Sequence, residues 1–226
     1  RSMAASTSTR KRKMSDAPAR DHAAAMDAMY RYQRHVYDLT RKYYLFGRDR
    51  LIAGLACAPG DKVLEIACGT GRNLVAIAKR YPGTRLYGLD ISEQMLVSAR
   101  AKFANAAEPP VLVAADACDF TPAILGETGF DRIVISYGLS MIPDWQQAVK
   151  LAIRALNPGG SLHIVDFGQQ ERLPAWFRAG LRAWLAKFHV TPRADMVAVL
   201  EAEAIGAELR FDTIGRGYAW HAILRA

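Results

Sequence analysis

The sequence is poor in several features that define other protein classes. It carries only three cysteines, Cys57, Cys68 and Cys118, an odd number in apolar segments and without framework spacing. This excludes a disulfide scaffold and predicts free thiols in a reducing compartment. No apolar run approaches the roughly 20 residues that span a bilayer. No internal repeat is visible, and the polar, basic N-terminus lacks the apolar stretch of a secretory signal. Acidic residues are in deficit, with 22 Asp and Glu against 30 Lys and Arg.

The resulting charge of +8 is unevenly spread. Residues 1–50 hold 12 Lys/Arg against 5 Asp/Glu, which leaves only +1 for the rest of the chain. A basic arm on a near-neutral domain points to an anionic partner, either a membrane surface or nucleic acid. Residues 1–22 contain few bulky apolar side chains and read as a disordered basic tail. Residues 23–57 read as a helical arm with Gly47 as the junction between two helices, and residues 58–226 as one domain. A length of 226 residues, 51% of them hydrophobic and 23% charged, suits a single globular domain with an added arm.

Within the domain, short β-type runs alternate with helical ones. Strands are expected over 62–66, 85–90, 111–115, 130–136 and 161–167. Helices are expected over 72–81, from a Ser92 cap to Ala104, and over 144–156, ending in a turn at Asn157-Pro158-Gly159-Gly160. Such alternation indicates βαβ units and a parallel sheet covered on both faces. The last quarter differs. Helices over 173–188 and 192–204 precede two strand-like runs, 208–214 and 217–224, whose short Gly215-Arg216 link predicts an antiparallel hairpin at the sheet edge. The expected fold is α/β and Rossmann-like, a mostly parallel seven-stranded sheet with an antiparallel C-terminal hairpin strand and an N-terminal helical arm.

In open parallel sheets, ligands bind beyond the carboxyl ends of the strands where strand order reverses. The loop after the first strand reads Glu65-Ile66-Ala67-Cys68-Gly69-Thr70-Gly71-Arg72-Asn73. Small residues at 67, 69 and 71 let the backbone approach a ligand, and the next helix offers free N–H groups. The spacing is not G-x-G-x-x-G, and an acidic residue opens the loop. Asp90 ends the second strand, where a carboxylate can accept both hydroxyls of a ribose. Asp116-Ala117 follows the third strand, placed to meet an adenine amino group beside a small side chain.

Residues 62–167 resemble the class I S-adenosylmethionine-dependent methyltransferases. The segments V-L-E-I-A-C-G-T-G, Y-G-L-D-I-S, D-A-x-x-F and L-x-P-G-G match that superfamily in order and spacing, with Ala67-Cys68 a departure from the commoner Gly or Asp start. The resemblance implies that S-adenosylmethionine is bound and S-adenosylhomocysteine released, with no metal. Glu65, Ala67, Gly69 and Gly71 would hold the methionine part, Asp90 and Ile91 the ribose and adenine face, and Asp116 and Ala117 the adenine edge. Cys68 and Ser136 complete the expected cofactor set.

The segment after the fourth strand, Ser136 to Pro143, lacks the Asp/Asn-Pro-Pro-aromatic run of enzymes that methylate exocyclic base amines, which lowers nucleic acid as the acceptor. Tyr30, Arg34, Tyr37, Arg41 and Tyr44 fall at steps of three and four and share one helical face. That face is either packing or a lid whose aromatic rings stabilise the cation formed when an amine is methylated. Tyr37, Tyr44 and Tyr137 are the expected positioning and cation–π residues, with no general base assigned. A second stripe, Leu173, Trp176, Phe177, Leu181, Trp184, Leu185 and Phe188, is flanked by Arg178, Arg182 and Lys187. It suits a core-facing helix or an interfacial one, and both hold if one edge stays exposed.

The runs Tyr37 to Arg50, Phe188 to Arg193 and Gly217 to His221 resemble a narrower family, the diacylglycerylhomoserine N-methyltransferases of betaine-lipid synthesis. That resemblance implies three successive N-methylations of an amino-lipid head group, at the inner face of the membrane, by a peripheral cytoplasmic enzyme on an anionic surface. Tyr30, Arg34, Tyr43, His189 and Arg193 are the expected substrate contacts, the arginines suited to a carboxylate by their fork geometry. The alternatives are N-methylation of phosphatidylethanolamine or a small amine, or a nucleic-acid-binding protein that uses its basic arm. Oligomeric state is not legible in the sequence.

Overall fold

The structure is a computed structural model, and it describes residues 45–204 and 206–226. In chain order the elements are α1 (Arg48–Ala53), β1 (Lys62–Ile66), α2 (Arg72–Arg80), β2 (Arg85–Asp90), α3 (Glu93–Lys102), β3 (Val111–Ala114), β4 (Phe130–Ser136), α4 (Trp145–Arg154), β5 (Leu156–Phe167), α5 (Ala175–Ala186), α6 (Met196–Glu203), β6 (Glu208–Ile214) and β7 (Ala219–Arg225). A short 3-10 turn, Pro122–Leu125, lies between β3 and β4. The seven strands form one sheet in the order β3-β2-β1-β4-β5-β7-β6. Only β7 runs against the others, because the hairpin return from β6 inserts it antiparallel beside β5.

Alternation along the strands divides the interior in two. Leu64, Ile66, Leu89, Ile133, Ile135, Leu162 and Ile164 face α4 and α6, where Trp145, Val149, Met196 and Leu200 meet them. Val63, Leu86, Val134, Val165 and Phe167 face the other way, toward Leu51 of α1, Leu55 just after it, Leu74 and Ile77 of α2 and Leu96 of α3. Both faces being covered explains why the parallel strands read as nearly unbroken apolar runs. Full burial of each such aliphatic side chain contributes about 1.5–3 kcal/mol. Polar residues on these strands are therefore exceptions. Glu65, Asp90 and Ser136 share the α1–α3 side, near the carboxyl ends of β1, β2 and β4, and all three are buried.

The helix starts follow local chemistry. Ser92 Oγ accepts from the Met95 N–H at the head of α3, and Asp144 Oδ1 accepts from the Gln147 N–H at the head of α4. Gly47, at φ 85°, caps the start of α1, and the helix expected before it lies outside the described residues. Three boundaries differ from the sequence reading. The Asn157-Pro158-Gly159-Gly160 segment belongs to β5 rather than to a separate turn. Its Leu156 pairs with Phe130 across a register shift, Gly159 takes φ 76°, and Asn157 Nδ2 donates to Asp131. Helices α5 and α6 are shorter than expected, since Pro174 and Asp195 mark their starts.

Candidate active site

Strand order reverses between β1 and β4, so the carboxyl ends of these neighbours diverge into opposite crossovers and leave a crevice. Leu45, Arg48, Glu65, Ala67, Cys68, Thr70, Arg72, Asn73 and Ser136 line it. The loop between β1 and α2 turns tightly, with Ala67, Gly69 and Gly71 at φ 56°, 54° and 72°. A Cβ at Gly71 would lie 3.1 Å from the Ala99 Cβ, so a glycine there serves both the turn and the approach of α3.

Two carboxylates organise the crevice. Glu65, 1% exposed, accepts from Asn73 Nδ2 at 2.6 Å, which ties the end of β1 to the first turn of α2. Asp90 accepts from the Gly69 N–H at 2.8 Å and from the Ser92 N–H at 2.9 Å, bracing the glycine loop against the head of α3. A carboxylate accepts hydrogen bonds at both oxygens, the chemistry that a pair of hydroxyl donors requires. Across the switch point, the buried Ser136 Oγ has no hydrogen-bond partner among the described residues. An orphaned hydroxyl at the wall of a crevice invites a polar ligand atom.

The remaining expected cofactor residues are placed by the sheet. Ile91 directly follows Asp90, and Asp116 and Ala117 follow β3, the next strand outward. Asp116 Oδ1 accepts from the Cys118 N–H, shaping that turn, while Ala117 is 6% exposed and packs into the α4-side core. Cys68 reaches the crevice but mainly packs between strands, its Sγ occupying space that a Cβ at Gly88 would need. Burial pushes its thiol well above the ordinary range, with Asp90 and Glu65 adding to the rise. The thiols of Cys57 and Cys118 are likewise pushed up by burial, to about 11 and about 12.

The expected acceptor-side residues fare differently. Tyr30, Arg34, Tyr37, Tyr43 and Tyr44 lie outside the described residues. Tyr137, expected as a positioning and cation–π residue, is placed against the core. It is 2% exposed, packs edge-on against Phe167 at 4.7 Å and donates its hydroxyl to the Phe46 carbonyl at 2.6 Å. This contact pins the segment that leads into α1. Arg193, expected as a substrate contact, is engaged with the backbone. Its Nε donates to Leu139 O and its Nη2 to Ile142 O, fastening the loop after β4. His189 is exposed at φ 55°, in the turn that ends α5.

Residues outside the sequence-based set also shape the site. Leu45 and Arg48 form its outer wall. Asn73 holds Glu65, and its place in the first turn of α2, two residues past Gly71, was the available signal. Asp166, fully buried at the end of β5, accepts from the Ser140 and Phe167 N–H groups and so supports the loop that Arg193 fastens. Burial pushes its carboxyl upward. No group of His, Cys, Asp and Glu among the described residues could hold a metal ion.

Residues 63–160 match the family described as the methyltransferase domain. Over these residues the chain is similar to that family. It is 32% identical over 70% of its length to a ubiquinone/menaquinone biosynthesis C-methyltransferase of Syntrophotalea carbinolica, and 29% identical over 66% to a demethylmenaquinone methyltransferase of Staphylococcus aureus. The chain spans 65% and 60% of the lengths of these curated relatives. In fold it is similar to a SAM-dependent methyltransferase from Aquifex aeolicus, with a TM-score of 0.62 and 17% identity, covering 82% of this chain and 92% of that one.

The crevice suits S-adenosylmethionine in its donor set. Glu65 and the orphaned Ser136 hydroxyl offer acceptors for an ammonium, the 69–71 turn offers close backbone, and Asp90 offers acceptors for a diol. As it stands the crevice holds about 30 Å³ of open space, room for about one water. The 45–48 segment, whose Phe46 carbonyl accepts from Tyr137, borders this space.

Proposed function

We propose that this chain is an S-adenosylmethionine-dependent N-methyltransferase whose acceptor is the amine of a lipid head group, foremost diacylglycerylhomoserine. The observation that carries the methyltransferase reading is the crevice at the β1/β4 switch point, with Glu65 and Ser136 on either side, in a matching domain. When bound, the cofactor supplies an electrophilic sulfonium methyl group for in-line displacement. The chain's own part is to orient and desolvate the reactants. Glu65, held by Asn73, positions a cation; Asp90 positions hydroxyls; the 45–48 segment closes over both and excludes water.

The choice of an amine acceptor rests on what could act as a base. Methylation of a phenolic ring carbon requires a group that removes the hydroxyl proton, whereas an amine attacks through its own lone pair once its ammonium proton has passed to solvent before or during binding. Among the described residues, Glu65 and Asp90 are engaged as acceptors. His163 and His221 are buried on β5 and β7, with His163 held at a pKa of about 3 by burial. The two curated relatives favour a second reading, methyl transfer to a quinone ring carbon.

Mass spectrometry after incubation with S-adenosylmethionine, diacylglycerylhomoserine, phosphatidylethanolamine and demethylmenaquinone separates these readings. One, two and three added methyl masses on the homoserine lipid are expected. A single methyl mass on the quinone would overturn the amine reading and keep the methyltransferase one.

A further inference from the structure

We infer that the first turns of α5, with Trp176 and Phe177, form the surface by which this protein docks on an anionic lipid bilayer. The expected apolar stripe of this helix divides in the structure. Leu185 is buried, and Leu173, Leu181, Trp184 and Phe188 pack against the α1-side core. Trp176 and Phe177 project away from it, 77% and 41% exposed, with their rings edge-on at 5.7 Å. Two adjacent aromatic rings left in water on one helix are costly, and such rings favour the bilayer interface.

Charge along the helix itself has one sign, with Glu171 and Asp195 lying beyond its two ends. From Arg172 to Ala194 there is no Asp or Glu, while Arg172, Arg178, Arg182, Lys187 and Arg193 are present. Arg182 leans on Gln169 O and Gln170 Oε1, and Arg193 is engaged with the loop after β4. Arg172 and Lys187 are exposed, and Arg178 is half-buried. Aromatic residues flanked by cations on an amphipathic helix fit an apolar layer under negatively charged head groups.

Position in the fold adds a reason. Between β5 and α5 the chain keeps pairing with the β6–β7 turn, Gly168 N–H to Tyr218 O and Gln170 N–H to Gly217 O. Phe46, 52% exposed, rests edge-on against Tyr218 at 5.0 Å. The start of α5, this turn and Phe46 thus stand at the carboxyl-end rim of the sheet, where the crevice lies. A bilayer held there faces the 45–48 segment that borders the crevice. The biological purpose rests on the lipid-acceptor reading, but the docking itself is read without any acceptor.

The test is co-sedimentation with vesicles of phosphatidylcholine alone and of phosphatidylcholine with phosphatidylglycerol, for the full chain and for Trp176→Ala/Phe177→Ala. Titration with S-adenosylhomocysteine serves as the check of folding. Binding to the anionic vesicles is expected, with about a tenfold loss in the double variant, since such binding scales with the apolar area inserted. Cofactor-product affinity is expected to stay unchanged, and brominated acyl chains should quench wild-type fluorescence more than that of Trp176→Phe. Equal binding by the double variant, as when the basic tail or another segment does the docking, overturns the inference. So does tighter binding to duplex DNA or RNA than to vesicles. Vesicle binding without methylation of any amino lipid would leave the docking intact and remove the acceptor assignment.

Discussion

Asn73 Nδ2 lies 2.6 Å from Glu65 Oε1, and both side chains are buried at the head of the crevice. The amide comes from the first turn of α2 and the carboxylate from the end of β1, so one hydrogen bond sets the angle of the residue proposed to receive the cofactor's ammonium. Hydrogen bonds to charged groups contribute about 1.5–3 kcal/mol. Asn73→Ala should therefore weaken S-adenosylhomocysteine binding by about tenfold or more. In a double-mutant cycle with Glu65→Gln the two losses should be strongly non-additive. Additive losses would show that Asn73 acts on the fold rather than through Glu65.

The glycine turn makes a sharper comparison possible. Gly71 and Gly60 both have positive φ, 72° and 91°, but a Cβ at Gly71 meets Ala99 whereas nothing lies within 4 Å at Gly60. Alanine at either site should cost about 1–2 kcal/mol from the left-handed backbone. Only Gly71→Ala should also lower cofactor-product affinity, because it shifts the loop that lines the crevice. Thermal melts and titrations on the two variants check this, and equal affinities would remove the loop from the site.

Tyr137 is expected to act as a latch. Tyr137→Phe deletes the donor to the Phe46 carbonyl while keeping the ring against Phe167. Stability should fall by about 1 kcal/mol. Hydrogen exchange at residues 46–51 should accelerate, and the association rate of S-adenosylhomocysteine should rise. Unchanged exchange would mean that the segment opens independently of Tyr137.

Burial of two histidines predicts acid sensitivity. His163 sits on β5 with its Nε2 2.9 Å from Ser161 Oγ; burial holds its pKa near about 3, with His221, Arg132 and Arg225 adding to the fall. The His221 pKa is lowered in the same direction, again chiefly by burial. An unfolded histidine titrates near about 6.5, so below that value the unfolded chain takes up protons that the folded chain refuses. Stability from these sites is full above about pH 6.5 and declines as pH falls toward about 3. The fall in melting temperature over this range should be shallower in His163→Gln than in the wild type. An identical slope would place the acid sensitivity elsewhere.

Much of the fold was legible because its signals are local. The apolar runs at 62–66, 85–90 and 130–136, the Ser92 cap and the Gly71 turn all stand where the sequence places them. The Asn157–Gly160 segment was misread because turn chemistry and a bulged strand use the same residues, and only pairing with Phe130 distinguishes them. For the site, Asp90 and the glycines are read from their places along the chain, and the role of Glu65 is what the family resemblance implies. The roles of Tyr137, Arg193, Asn73 and Asp166 depend on contacts between distant segments, such as Arg193 with Leu139 and Ile142. No periodicity in the chain encodes those contacts.

The central claim is that the β1/β4 crevice binds the methyl donor through Asp90 and its neighbours. Calorimetric titration of S-adenosylhomocysteine into the wild type and Asp90→Ala tests it most directly, with thermal melts confirming that both are folded. The account predicts one equivalent bound per wild-type chain and an affinity loss of about a hundredfold in the variant, the scale of a lost charge-assisted pair of hydrogen bonds. No binding by the wild type, or equal binding by a folded Asp90→Ala, would contradict it.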